Sequence, residues 1–404
     1  MQNSRNDNAD YMEDLFKQLR RLPPYELRDS AMCAAPFDDE TIKGWYQARE
    51  YVLKRFGRDT KMGAGGIPPS SADHIHVVIH YKGNPMALYV ARQVALTAHF
   101  PNFNESTSEN RTVISILYNR NTHPDIIHVL KRQEYLCNLP DECKCVFVDG
   151  KRREVVRENS YIDIELELVG FGSDEFEYDA DGSVVIDADE LNVMACTNSV
   201  QSLDVCKARR VNMVYNVGAD IDNLPPDDPN AAERYGKALF YFCYQLSPDA
   251  TKDAWQKLCC ANAVDSLAYQ INLRNKLSNV FCADCFATRL KSVCNDFETL
   301  LQKDEKKLMD KVQANIQVLA QCEHARWNVE KLILGFSPLT PEERWEYAQR
   351  FGASRDSYRK KLKNKGHHID LCSYQDLRRT DPGNMKYDCF LMLAMVKIVR
   401  EDVD

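Results

Sequence analysis

Residues 323–336 read Glu-His-Ala-Arg-Trp-Asn-Val-Glu-Lys-Leu-Ile-Leu-Gly-Phe, near the end of a helical pattern that begins around residue 305. Because an α-helix has 3.6 residues per turn, the apolar side chains of this pattern share one stripe, and two carboxylates fall inside it. The apolar members are Ile316, Leu319, Ala320, Trp327 and Leu334, and the carboxylates are Glu323 and Glu330. A carboxylate in such a stripe needs a cation, a group of hydrogen-bond donors or a ligand, because burying an unpaired charge is costly. Two interpretations follow: Glu323 pairs with Arg326 or Lys331, or it contacts a ligand.

The same region carries a family resemblance. Glu-His-x-Arg-Trp at residues 323–327 is followed by Glu-Lys-x-x-x-Gly-Phe at residues 330–336. Further on, residues 368–371 read His-Ile-Asp-Leu, residues 374–377 read Tyr-Gln-Asp-Leu, and Tyr387-Asp388 opens the last helical pattern. In order and spacing these motifs resemble the RyR domain, a small helical module repeated in ryanodine receptors and found singly in many bacterial proteins. The resemblance covers residues 315–400 and implies a recognition module for nucleotide-like ligands, not a catalyst.

The residue types of this region suit a small phosphorylated ligand. Trp and Tyr can sandwich a base or sugar, Arg and Lys can hold phosphate, and Glu or Asp can accept hydrogen bonds from an amine or a ribose hydroxyl. The basic run at residues 359–365 is either a solvated helix face or a rim that attracts an anionic ligand. We expect a small-molecule ligand, with a nucleotide or nucleotide derivative as the candidate cofactor. The predicted ligand-binding residues are Glu323, His324, Arg326, Trp327, Lys331, His368, Asp370 and Tyr374.

Residue composition and net charge indicate what class of protein this is and which partners to expect. A chain of 404 residues with 44% apolar and 28% charged residues is typical of a globular protein of about two to three domains. Its net charge of -8 argues against a general nucleic-acid partner, which would require a basic face. The longest apolar stretches are too short to cross a bilayer, and no leader pattern follows Met1. We therefore expect a cytoplasmic protein without membrane insertion.

The cysteines favour reduced thiols. There are 15 of them, an odd number, without a secretion signal. Cys282 and Cys285 have metal-ligand spacing, but a closed zinc site needs four ligands. The group at residues 137–145 lacks a matching histidine pair. Small, buried, free cysteines are the favoured interpretation, and no metal site is predicted.

A strand–helix–strand pattern opens the N-terminal half. Residues 75–80 and 111–118 are rich in Val, Ile and Leu and predict strands, with a helix over residues 86–99 between them. Such units build a mostly parallel sheet. The further strands predicted for the sheet are residues 145–149 and 211–218. Residues 150–190 predict an antiparallel insertion, with an alternating run at residues 161–168 and a hairpin turn at Asp181-Gly182.

The end of this helix, His99-Phe100-Pro101-Asn102, resembles TrkA-type nucleotide-binding domains, which often precede an RyR module in bacteria. The resemblance implies a Rossmann-like fold. The turn after the first strand holds one glycine instead of a GxGxxG motif, and the second strand lacks the terminal acid that accepts a ribose hydroxyl. Two interpretations remain: a degenerate scaffold, or a nucleotide site. The candidate cofactor-binding residues are Lys82, Gly83, Asn84 and Arg120.

The predicted architecture is α/β plus all-α. A helical extension at residues 1–70 precedes a Rossmann-like domain at 72–228, a helical region at 229–304 with a possible shortened RyR-like copy, and an RyR-like domain at 305–404. The absence of Gly-x-Ser-x-Gly, Walker and His-Glu-x-x-His motifs favours a non-catalytic sensor. One alternative is a structural or interaction protein that docks a partner or forms a homo-oligomer, to which the apolar face of residues 11–22 would contribute. A diverged NAD(P)-dependent oxidoreductase is the other.

Overall fold

The described part of the chain forms two compact units, one within Glu40–Pro226 and one within Asp227–Asp404. They are called the sheet unit and the helical unit below. The computed structural model describes residues 48, 52, 66–83, 86–107, 109–124, 126, 137–138, 145–148, 151–154, 161–171, 177–178, 184–185, 211–217, 278, 281–333 and 336–400.

The sheet unit combines strands with one described helix. Its elements are β1 His74–Tyr81, α1 Met86–Thr97, β2 Thr112–Asn119, β3 Cys137–Asn138, β4 Cys145–Val148, β5 Lys151–Glu154, β6 Ile164–Phe171, β7 Glu177–Tyr178, β8 Val184–Val185 and β9 Val211–Val217.

Five of these strands form one parallel sheet in the order β3-β6-β2-β1-β9. The central strand β2 is buried along its whole length, as expected for an apolar strand inside a parallel sheet. Because α1 connects β1 to the parallel strand β2, the predicted strand–helix–strand unit is confirmed. The predicted last strand, β9, is also in the sheet and pairs with β1.

Two strand assignments from the sequence were wrong. β4 does not join the parallel sheet, because it pairs with β5 in an antiparallel hairpin. β6 was assigned to the antiparallel insertion, but it lies inside the sheet and is parallel to β2. The hairpin predicted at Asp181-Gly182 is confirmed, because the strands on either side of that dipeptide, β7 and β8, pair antiparallel.

A buried histidine joins the end of α1 to the start of β6. Nδ1 of His99 lies 2.8 Å from Oδ2 of Asp163, and both side chains are buried. The backbone N–H of Thr112 donates to the carbonyl of Asp163 (2.8 Å), and the Thr112 hydroxyl donates to the carbonyl of Ala98 (2.8 Å). The motif that resembles TrkA-type domains therefore fixes the amino-terminal edge of the sheet.

The helical unit is described mainly from residue 281 onward. Its elements are α2 Phe286–Val293, α3 Phe297–Lys303, α4 Glu305–Ala314, α5 Ile316–Ile333, β10 Ser337–Pro338, α6 Pro341–Ala348, α7 Gly352–Asn364, β11 His367–His368, α8 Tyr374–Thr380 and α9 Pro382–Arg400. The helical run predicted from residue 305 is two helices, because the chain breaks at Asn315 between α4 and α5. No helix in the described ranges is long and apolar enough to cross a membrane.

One apolar core positions the start of α5, and a second one lies between α6 and α7. The first joins α2, α3, α4 and α9 to the start of α5, with Leu290, Leu308, Leu319 and Met395 fully or almost fully buried. The second holds α6 against α7 through Leu339, Tyr347, Tyr358 and Leu362. β10 pairs with β11, which brings the chain after α7 back to the end of α5.

The predictions for residues 1–65 lie outside the described residues, apart from positions 48 and 52. The same holds for the possible RyR-like copy at residues 230–280, of which only residue 278 is described.

Candidate functional site

A cavity of about 370 Å³ lies beside α5 in the helical unit. Small-molecule pockets measure about 300–1,000 Å³, so its volume suits a ligand of that class. Further lining residues come from α7, the segment after β11, and α9. Six of the eight predicted ligand-binding residues line the cavity: Glu323, His324, Arg326, Trp327, His368 and Asp370.

Glu323 is held by two guanidinium groups. Nη1 of Arg289, on α2, lies 2.7 Å from Oε2 of Glu323, and Arg326 donates through Nε (3.0 Å) and Nη2 (2.9 Å). All three side chains are almost completely buried. Burial alone would raise the pKa of Glu323, but Arg326 and Arg289 hold it at about 2. Glu323 is therefore a carboxylate at neutral pH, paired with Arg326 as one interpretation of the sequence proposed.

Glu330 extends the same ionic network along α5. It accepts hydrogen bonds from Nη1 of Arg326 (2.7 Å), Nζ of Lys331 (2.6 Å) and the hydroxyl of Ser278 (2.8 Å). Lys331 thus pairs with Glu330 and not with Glu323, and it is not among the residues that line the cavity. The Lys331 ammonium group also lies 5.3 Å from the ring centre of Trp327, which does line the cavity.

Among the described residues, the buried network holds three cations and two carboxylates. Its three cations are Arg289, Arg326 and Lys331, and its two carboxylates are Glu323 and Glu330. All five are buried. Removing charges from water is costly unless they are paired and hydrogen-bonded, and each cation of this network lies within 2.9 Å of a carboxylate oxygen.

His324 and Asp388 face each other on the cavity wall. Nε2 of His324 lies 3.0 Å from the carbonyl oxygen of Cys372, so Nε2 carries the proton and Nδ1 is an acceptor in the neutral ring. Nδ1 lies 3.7 Å from Oδ2 of Asp388. Burial lowers the pKa of His324 to about 4, while burial and then the Glu323 carboxylate raise the pKa of Asp388. Both shifts favour the uncharged form of each group.

Trp327 forms the aromatic part of the wall. Its ring meets the ring of His368 edge-on, with centroids 4.8 Å apart, and His368 packs in the same way against Phe336 at 5.6 Å. On its other side Trp327 stacks with His324 at 5.9 Å. Trp327 is partly exposed, so its indole is available to a ligand.

Asp370 links the loop after β11 to α7 and α9. Oδ2 of Asp370 accepts hydrogen bonds from Nη2 of Arg359 (2.9 Å) and Nδ2 of Asn384 (3.0 Å). Burial nevertheless raises the pKa of Asp370 to about 6. Lys363 lies one helical turn after Arg359 and also lines the cavity. The basic run therefore contributes two cations to the site.

Tyr374 does not line the cavity. It is buried, its ring lies 5.8 Å from that of His324, and its hydroxyl contacts Sγ of Cys389 at 3.8 Å. Tyr374 packs against the ring of His324 and does not join Trp327 in the cavity lining.

The predicted set missed residues on three helices. Arg359 and Lys363 stand four apart in a run already noted as basic, a spacing that puts both on one face of α7. Asp388 belongs to the motif that opens the last helix. Arg289 and Asn384 had no signal in the sequence, because only the packing of α2 and α9 against α5 brings them near.

The second predicted site lies at the carboxyl ends of the strands in the sheet unit. Lys82 and Arg120 are exposed after β1 and β2. A Cβ atom on Gly170 would lie 2.5 Å from Cγ of Arg120, so the Arg120 side chain lies across the end of β6. Gly83 has φ +84° and touches the ring of His123, a residue that the sequence did not single out. Asn84 lies outside the described residues.

The cysteine pair lies at the edge of the cavity. Cys282 lines it and Cys285 is buried beneath, and burial raises the pKa of both thiols. Across the described ranges, no group of three or more His, Cys, Asp or Glu side chains is placed to hold a metal ion.

Comparison with protein-family models, with curated proteins and with solved structures gives no match for this chain.

Proposed function

We propose that the helical unit is a non-catalytic sensor that binds a small phosphorylated, nucleotide-derived ligand in the cavity beside α5. The observation that carries the proposal is the convergence of Trp327, His368 and a cationic rim on one cavity of about 370 Å³. Each group suits a different part of such a ligand.

The base or sugar of the ligand would pack on Trp327, because its indole is partly exposed and is fixed by His324 and His368. The phosphate would meet Arg359 and Lys363 on α7. Arg326 lines the cavity, but its guanidinium is committed to Glu323 and Glu330, so it acts mainly through its charge.

A polar edge of the ligand would reach Asp388. Among the described residues this carboxyl group has no hydrogen-bond partner for Oδ2, and His324 Nδ1 is its polar neighbour at 3.7 Å. Buried polar groups are normally hydrogen-bonded, so the pair is suited to rearrange around a ligand with N–H or O–H groups. A nucleotide-like ligand has such N–H or O–H groups, whereas a plain inorganic anion does not offer them in the same arrangement.

The finer fold assignments belong to the same proposal. An RyR-like helical domain is supported by the placement of its motif residues Glu323, Trp327 and His368 around one cavity. A Rossmann-like sheet is supported by the order β6-β2-β1-β9, which is third-second-first-fourth along the core strands. The cytoplasmic location stays a prediction from the sequence.

Isothermal titration of the full chain against a nucleotide panel tests the proposal. The panel includes NAD and NADP, so it also tests the oxidoreductase alternative. We expect at least one phosphorylated nucleotide to bind, and Trp327→Ala to weaken binding by about tenfold or more, since base–aromatic stacking contributes about 1–3 kcal/mol.

The matched control is Trp345→Ala, which removes an exposed indole from α6, outside the cavity. Its affinity should equal that of the wild type. No binding of any nucleotide, or equal affinity in Trp327→Ala and wild type, contradicts the proposal.

A further inference from the structure

The α6–α7 hairpin exposes two large aromatic side chains. Trp345 on α6 is 67% exposed, and Phe351, in the turn before α7, is 77% exposed. They are the large hydrophobic residues with high exposure in the described part of the chain. The two residues are six positions apart, on α6 and in the turn before α7, and large apolar side chains with this much exposure on one short hairpin are candidates for an interaction site.

Arginine side chains beside these aromatics are held in place. The guanidinium of Arg350 lies 4.2 Å from the ring centre of Tyr358, and that of Arg355 lies 4.4 Å from the ring centre of Tyr347. Arg355 also donates to the carbonyl of Thr380 (3.2 Å). Because stacking fixes these long side chains, a partner does not have to order them, which lowers the cost of association.

The hairpin is basic within an acidic chain. Residues 341–365, called the basic hairpin here, contain eight Lys or Arg and four Asp or Glu, a net charge of +4. The chain as a whole carries -8, so the remainder carries -12. Lys360 and Lys361 are exposed, which directs part of this charge to the surface. The net positive charge of the basic hairpin therefore favours a partner with an acidic surface.

The same chain contains a segment of the required chemistry. Residues 174–190 read Asp-Glu-Phe-Glu-Tyr-Asp-Ala-Asp-Gly-Ser-Val-Val-Ile-Asp-Ala-Asp-Glu, with eight carboxylates and no Lys or Arg. This acidic segment also carries aromatic and branched apolar residues, and it contains the antiparallel pair β7 and β8. The acidic segment thus offers carboxylates to the lysines and arginines of the basic hairpin, and apolar side chains to Trp345 and Phe351.

We propose that the basic hairpin of one copy binds the acidic segment of a second copy. Trp345 and Phe351 supply the apolar centre of this interface, and the arginines and lysines around them pair with carboxylates at its rim. The two surfaces differ, so the contact is head-to-tail and leads to a ring or a chain of copies. Arg359 and Lys363 of the basic hairpin line the ligand cavity, but Trp345, Phe351, Lys360 and Lys361, on which the interface is tested, do not. The proposed interface therefore does not depend on the proposed function.

Sedimentation or light scattering of the full chain over a concentration series tests the interface. We expect concentration-dependent association that weakens as salt is raised, because exposed charges are screened. Lys360→Glu/Lys361→Glu, Asp187→Lys/Asp189→Lys and Trp345→Ser/Phe351→Ser should each weaken it by about tenfold or more. The matched control is Lys306→Glu/Lys307→Glu, an equal charge change on the exposed face of α4, which should associate as the wild type does.

Mixing the two charge-reversal variants gives the sharpest result. In the mixture the intact hairpin of one variant meets the intact segment of the other, and the reversed hairpin meets the reversed segment. Association should therefore return although each variant alone is weak. A wild type that is monomeric at every concentration overturns the proposal. Association that neither variant weakens, or that mixing does not restore, also overturns it.

Discussion

Nδ1 of His324 and Oδ2 of Asp388 lie 3.7 Å apart, and the opposite nitrogen of the ring is committed to the carbonyl of Cys372. This pair lies beside the network of five buried charges on α2 and α5. The predictions below concern the network, the groups that line the cavity and the glycine turn of the sheet unit.

Glu323→Gln should destabilise the protein strongly. The substitution leaves the buried Arg289 and Arg326 guanidiniums facing each other with less negative charge, and breaking a buried ion pair typically costs about 3–5 kcal/mol. Urea denaturation followed by circular dichroism measures the free energy of unfolding. The control is Glu346→Gln, which breaks the exposed pair with Arg350 and should change that free energy by less than about 1 kcal/mol. Equal effects of the two substitutions would refute the role given to the network.

Asp370→Asn should change how stability depends on pH. The folded-state pKa of Asp370 is about 6 and its ordinary value is 3.8, so the folded state holds the proton more tightly than the unfolded state. The wild type should therefore lose stability relative to the variant as pH rises from about 4 to about 6, by about 3 kcal/mol in total. The opposite shift of His324 is present in both proteins and cancels. A difference between the two proteins that does not vary with pH would contradict the assignment.

Lys363→Met should weaken the binding of a phosphorylated ligand by about tenfold, because it removes one cation from the rim of the cavity. It should also reduce the salt dependence of binding. The control on the same helix is Lys361→Met, since Lys361 is exposed and does not line the cavity. Titration at two salt concentrations measures both quantities. Equal loss in the two variants would mean that α7 attracts the ligand only through its overall charge.

Gly83→Ala should destabilise the sheet unit more than Gly352→Ala destabilises the helical unit. Both glycines have positive φ, +84° and +52°, so both substitutions introduce backbone strain of about 1 kcal/mol or more. A Cβ atom at Gly83 would also lie 2.8 Å from Cε1 of His123, whereas nothing lies within 4 Å at Gly352. Thermal unfolding compares the two, and adding His123→Ala should recover the excess loss at Gly83. Without that recovery, the loop after β2 does not pack on Gly83.

The apolar stripe on α5 was predictable because the 3.6-residue period of a helix can be followed directly along a continuous stretch of sequence. Glu323 and Glu330 are buried, as their place in the stripe predicted, although Ile316 and Trp327 in the same stripe are only partly buried. The cations that hold Glu323 were not all predictable. Arg326 is one turn away on the same helix, but Arg289 reaches Glu323 only because α2 packs beside α5.

β6 was wrongly assigned to the antiparallel insertion because it lies near the edge of the parallel sheet. Its apolar residues alternate with acids, which is typical of a strand with one solvated face. Among the described strands, the one on the outer side of β6 is the two-residue strand β3, which pairs with Leu166 and Glu167. Half-exposed Glu165 lies near Arg111 at 4.0 Å. A strand this close to the edge keeps an alternating pattern although its pairing is parallel.

The position of a bound ligand tests the central claim most directly. In a crystal structure of the full chain with the tightest-binding nucleotide of the panel, we expect its base on the indole of Trp327 and its phosphate within hydrogen-bonding distance of Lys363 or Arg359. A nucleotide found at the carboxyl ends of β1 and β2 instead, with the cavity beside α5 holding only water, would contradict the account.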